Sequence, residues 1–135
     1  KRYPTNPRIH LALIGGFVVG DDWQRAEQAV NTMLAHVPSD KTAHRLLADM
    51  WWVYARWHQG KPIGEGATLR LQAATLTEQP EWVQTCFELA QALATESVGD
   101  VKNAISLYQA ISERDRWDAW PWLTELANER LIALQ

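Results

Sequence analysis

A pair of residues recurs along the chain at a spacing that a stack of helix pairs explains. Leu47-Ala48, Leu89-Ala90 and Leu126-Ala127 stand 42 and 37 residues apart, and Leu13-Ile14 stands 34 residues before the first of them. Self-similarity with a period of roughly 20 to 50 residues is the mark of a repeat architecture, in which each unit buries its apolar face against its neighbours. Around every pair the apolar residues return each third or fourth position, the period of a half-buried helix, and strand alternation is absent. The expected fold class is all-α.

Proline, glycine and aspartate divide the chain into seven predicted helices. Pro4 and Pro7 precede a first helix reaching about Gly20, and Asp21 and Asp22 offer a cap for a second that ends before Pro38. Asp40 is the expected cap of a third helix, through Thr42 and Leu47 to about His58. After the glycine-rich stretch from Gly60 to Gly66, further helices are expected over 67–77, 81–95, 101–113 and 118–134. That stretch and the Ser97-Val98 region absorb the residues by which the later spacings exceed 34.

With 135 residues, 47% of them hydrophobic, the chain suits a single domain over 1–135. Its 16 acidic and 13 basic residues are scattered, so no basic stripe is available to neutralise phosphates, and nucleic acid is not the expected partner. Cys86 is the only cysteine, which excludes an internal disulfide and a thiolate zinc cluster. The most apolar stretch, Ile9 to Val19, is about half the roughly 20 residues of a membrane-spanning helix, so no direct membrane insertion by this chain is expected. The opening Lys1-Arg2-Tyr3-Pro4 suggests a fragment of a longer protein, whose compartment the sequence leaves open.

Asp22-Trp-Gln-Arg-Ala26 with Val30, Met33 and Pro38, and more closely Gly99-Asp-Val-Lys-Asn-Ala-Ile-Ser-Leu-Tyr108, resemble the turn and second helix of the tetratricopeptide repeat family. The small residues Ala26, Ala48, Ala90 and Ala104 would let backbones approach, while Leu47, Trp51, Leu89, Leu93 and Tyr108 would fill the gaps between helices. The resemblance implies a right-handed superhelix of about three helix pairs, with repeats over about 7–40, 41–80 and 81–116 and a capping helix over 117–135. The enlarged middle loop, followed by Leu89-Ala90, Gly99-Asp100 and Ala104 to Tyr108, also resembles the repeat domain of bacterial cytochrome c maturation proteins, the haem lyase accessory subunits. That likeness would imply a periplasmic domain on a membrane anchor outside this chain, with an amphipathic helix or tail as ligand.

In this family the first helix of each pair lines the concave face. Arg45, Asp49, Trp52 and Arg56 follow i, i+4, i+7, i+11 spacing and form one stripe along a helix. The family register places this stripe in the groove, with Arg8 and Leu11 from the first repeat and Gln84, Phe87 and Gln91 from the third as neighbours. Arginine beside an exposed aromatic is a common hot-spot pairing; the competing reading makes Arg45 and Asp49 a solvated pair and Trp52 core. The family's clamp for a C-terminal carboxylate is not carried over, because Leu11 and Gly15 occupy the corresponding surface.

The expected function is a scaffold or chaperone-like module that binds a peptide or helix of another protein. The alternatives are a structural domain that self-associates through Trp117, Trp120 and Trp122, and an accessory domain of an enzyme whose catalytic part lies outside this chain. The chain itself is not expected to be an enzyme. His10, His36, His44 and His58 lack metal-ligand spacing, Glu65 has no evident partner, Asp21-Asp22 suits a helix cap, and Cys86 sits among core residues. No cofactor, metal or catalytic residue is expected.

Overall fold

The computed structural model describes residues 5–73, 79–113 and 121–135, without the side chains of 72, 73 and 121–124. These residues form helices α1 (Pro7–Val19), α2 (Trp23–His36), α3 (Thr42–His58), α4 (Glu65–Ala73), α5 (Glu81–Ser97), α6 (Val101–Ser112) and α7 (Pro121–Leu134), and no strand. The protein is all-helical. Its chain divides into two compact units, Lys1–Ile63 and Gly64–Gln135.

Local chemistry accounts for most helix ends. Asn6 accepts the Arg8 N–H through its side chain at 3.0 Å and Pro7 opens α1, where its missing N–H costs nothing. Asp22 and Asp100 take the same part for α2 and α6, accepting the N–H groups of Arg25 and Asn103. Asp40 does not cap α3. Lys41 precedes that helix without a side-chain bond, and the reversal is held instead by its N–H to the Pro38 carbonyl at 3.1 Å. Helix α4 begins at Glu65, two residues before its expected start, because Gly64 at φ 86° ends the loop and its carbonyl accepts the Thr68 N–H. Residues 74–78 and 118–120, where the ends of the fourth and seventh helices were placed, lie outside the described residues.

The same backbone motif closes α1, α3 and α5. After α1, the Asp22 N–H reaches back to the Phe17 carbonyl and the Asp21 N–H to that of Val18; after α5, Asp100 and Gly99 do the same to Thr95 and Glu96. After α3, Lys61 and Gly60 bond to Arg56 and Trp57. This is the Schellman closure, which satisfies the last carbonyls and needs a left-handed residue just past the helix. Gly60 at φ 69° and Gly99 at φ 86° meet that need without strain, whereas Asp21 meets it at φ 58° with a side chain in place. In the first and third cases the next residue is the capping aspartate, so three residues end one helix, reverse the chain and start the next.

The two units repeat one packing order. In Lys1–Ile63, α1 packs on α2, α2 on α3, and α1 also touches α3; in Gly64–Gln135, α5, α6 and α7 are joined in the same way, with α4 against α5. Ile14, Ala29, Val30, Met33, Val37 and Ala48 form the core of the first unit, with Phe17, Leu34, Trp51 and Trp52 packed against it. Ala26, Ala48, Ala90 and Ala104 are all 0% exposed, as expected of residues that let helices approach closely. The recurring pairs are not equivalent throughout. Ile14, Ala48, Ala90 and Ala127 are all 0% exposed, but Leu13, expected at the depth of Leu89, is 53% exposed.

Replacing Ala90 by Trp is expected to destabilise the fold by about 1–3 kcal/mol or more, because a filled helix contact must be pushed apart. Gly99→Ala is expected to cost about 1–2 kcal/mol through the left-handed backbone alone, since no described atom beyond its chain neighbours lies within 4 Å of the added methyl group. Urea titrations of both variants check these values, and an unchanged midpoint for Ala90→Trp would remove the packing account.

Candidate functional site

The stripe on α3 is tied into its own unit. Arg45 donates from one Nη to the Leu34 carbonyl at 3.0 Å and the Val37 carbonyl at 2.9 Å, so it closes the C-terminal end of α2. Asp49 is buried. Trp52 is half-buried on the core of the unit, and the Arg56 guanidinium lies over its ring, 5.3 Å from the centroid. A contact of this kind contributes about 0.5–1 kcal/mol where solvent reaches it. Arg56 also donates from Nε to the Pro62 carbonyl at 2.8 Å and from Nη1 to Glu27 at 3.2 Å.

The other expected groove residues divide by unit. On α1, Arg8 is exposed and Leu11 is half-buried against the core. On α5, Phe87 is 3% exposed and offers almost no surface; Gln91 donates to the Leu71 carbonyl of α4 at 2.6 Å, and Gln84 to the Gln79 carbonyl at 3.0 Å. Arg8, Leu11 and Trp52 are thus the expected groove residues that combine accessible surface with no role in holding a backbone carbonyl among the bonds described. Trp117 and Trp120 lie outside the described residues, and of Trp122 only the backbone, in α7, is described.

Two carboxylates that sequence reasoning missed organise the polar interior of the units. Glu27 of α2 accepts from Gln59 at 2.9 Å and from Arg56, with the Lys61 ammonium at 3.4 Å. Burial raises its pKa, but the hydrogen bonds from Gln59 and Arg56 and the charges of Lys61 and Arg56 outweigh that effect and hold it below the ordinary carboxylate range. In the second unit Glu96 of α5 takes both a bidentate ion pair from Arg130 of α7 and the Tyr108 hydroxyl of α6 at 2.9 Å. Burial, followed by the bond to Glu96, pushes the Tyr108 hydroxyl far above its usual pKa, so it remains a donor. Neither cluster has a periodic signal, since partners 12 to 34 residues apart on different elements meet only after folding.

The histidines do not converge. His10 is buried, His36 donates from Nδ1 to the Thr32 carbonyl at 2.8 Å, and His58 stacks on Trp23 with centroids 4.1 Å apart. Burial lowers the His58 pKa, partly offset by the charge of Asp21, whose carboxylate accepts the Trp23 indole N–H. Cys86 is buried. Among the described residues no cluster of three His, Cys, Asp or Glu side chains has the spacing to hold a metal ion, and no helix is long and apolar enough to cross a membrane.

A second surface stands out in the first unit. Ile9, Leu13 and Phe17, one helical turn apart on α1, face Arg25, Gln28 and Thr32 of α2 across an open cleft of about 440 Å³.

No protein-family model, curated protein or solved structure matches the chain.

Glu27→Gln is expected to lower stability by about 2 kcal/mol at pH 7, the scale of hydrogen bonds to a charged group. Because Glu27 is held below its unfolded pKa, its contribution is present above about pH 4.5 and is lost as pH falls through the folded value. Denaturation of wild type and variant should therefore differ at pH 7 and converge once pH has fallen below the folded value. A gap that persists in acid would show that shape, not charge, is responsible.

Proposed function

We propose that the chain is a helical-repeat module of the tetratricopeptide kind that binds another polypeptide. The observation that carries the reading is the recurrence of one unit plan. A helix ends in a Schellman closure, an aspartate caps the next helix, and a third helix packs back on both, at α1–α2–α3 and again at α5–α6–α7. Repeats built this way have no single enclosed centre; they present rows of side chains along successive helices, which suits recognition of an extended ligand.

Within the first unit, Trp52 with Arg56 over its ring offers an apolar surface beside a cation, and Arg8 is an exposed cation on α1. These residues suit a segment with an apolar anchor and a carboxylate. Arg45 is a poor probe of this surface, because removing it would open the end of α2.

The double variant Arg8→Glu, Trp52→Ala is expected to retain its helicity and to lose at least about tenfold in affinity for polypeptides captured by the wild-type protein from native lysate. Circular dichroism and a quantitative capture assay check the two halves. Equal capture by both proteins would move binding to another surface, and no capture by either would favour a structural role.

A further inference from the structure

The last turn of α3 is fastened to the first turns of α2 at two adjacent places. At one, the His58 imidazole lies flat on the Trp23 indole, with centroids 4.1 Å apart and planes within 6°. At the other, the Gln59 amide donates to the Trp23 carbonyl at 3.4 Å and to Glu27 at 2.9 Å, and Glu27 also holds Arg56 and Lys61. The stack acts beyond these two helices. The Trp23 indole N–H donates to Asp21 at 2.5 Å, and Asp21 is, among the described residues, the one other than glycine in the left-handed region. The His58 ring thus braces the side chain that holds the strained residue of the α1–α2 reversal.

This position is suited to sensing a proton. His58 is exposed, so solvent reaches it without the unit opening, yet one face is covered by Trp23, and Trp57 stands perpendicular to it with centroids 5.0 Å apart. A charged imidazole loses hydration on those sides. Its neighbourhood offers no uncommitted anion to offset that loss. Segments 21–27 and 56–61 contribute Asp21, Asp22 and Glu27 against Arg25, Arg56 and Lys61, so their charges already cancel. Asp22 lies 3.5 Å from Arg25, Glu27 pairs with Arg56 and Lys61, and Asp21 accepts the indole N–H. Helix α1 also touches α3, but its Arg8 and His10 stand at the end away from Asp21. Burial accordingly outweighs the attraction of Asp21, and the fold favours the neutral ring.

We infer that His58 is a proton-operated clasp: the neutral ring holds the last turn of α3 on Trp23, and protonation loosens that turn together with the Gly60 and Lys61 closure that follows it. A histidine held neutral by the fold contributes stability that is complete above its ordinary value of 6.5 and is lost as pH falls from there through the folded value. Glu27, held below the ordinary carboxylate value of 4.5, stays ionised over that window, so the ion pairs beside the stack do not open with it. The clasp lies within one unit and does not depend on partner binding at Trp52.

His10, His36 and His44 titrate in the same range, so the test must resolve single residues. Proton NMR titration of the whole chain does so, with the His58 ring signals identified by their cross-peaks to Trp23. The His58 midpoint should lie below 6.5, and Asp21→Asn, which removes the nearby charge but keeps an acceptor for the indole, should move it lower still. Between about pH 7.5 and about pH 5, protection of the Gly60 and Lys61 amides against exchange should fall at least about threefold in the wild type. It should stay level in His58→Phe, whose ring can stack but takes no proton. A midpoint at or above 6.5 overturns the inference, because the charged ring would then be the form held on the indole. Protection that stays constant in the wild type, or falls equally in His58→Phe, overturns it as well. Should His58→Phe fail to fold, the wild-type midpoint and its shift in Asp21→Asn still decide.

Discussion

The three-residue reversal between helices is the constraint on which each unit depends. An α-helix ends with carbonyls that have no partner, and the next begins with N–H groups in the same condition. At Gly20-Asp21-Asp22 and again at Val98-Gly99-Asp100, one short segment satisfies both sets: the backbone N–H groups fold back onto the helix just finished, and the aspartate carboxylate turns to the helix just begun. Because the reversal is so short, the two helices have little choice but to lie side by side, and the small residues Ala26 and Ala104 then settle how closely. The third helix of each unit packs onto this hairpin.

Polar groups then lock the arrangement that the turns and apolar contacts produce. Glu27 and Glu96 are partly withdrawn from water, and each would be costly if unpaired. Instead, each collects partners from neighbouring elements: Gln59, Arg56 and Lys61 around the first, Arg130 and Tyr108 around the second. Such a cluster favours one packing of its helices over close alternatives, because a small shift would break several bonds at once. It also explains why the arginines of the α3 stripe are less available than their spacing suggests. Arg45 completes the end of α2, and Arg56 divides its donors between a carboxylate, a loop carbonyl and a tryptophan face.

The helical character of the chain was legible because it lies in local patterns. The 3.6-residue apolar period, the aspartates at 22 and 100 and the prolines at 7 and 80 act within a turn or two of where they stand, and the helix ends that fall within the described residues lie close to the expected places. The Asp40 cap failed for the same local reason in reverse, since a competing bond from Lys41 to Pro38 already turned the chain. The candidate site was legible only in part. Spacing placed Arg45, Asp49, Trp52 and Arg56 on one stripe, but could not reveal that two of the four side chains close hydrogen bonds to backbone in the segments flanking α3 and that a third is buried.

The sequence by itself determined what short-range physics controls: helices, their ends, the reversals between them, and the small residues where backbones meet. Tertiary structure alone decided which side chains remain accessible. Leu13 and Leu89 occupy matching places in the recurring pattern, yet one is exposed and the other fully buried, because exposure depends on what packs against a helix and not on the residue it carries. Glu27 and Glu96 found their partners for the same reason. Contacts between residues some 30 positions apart arise from the folded path of the chain, and no local period records them.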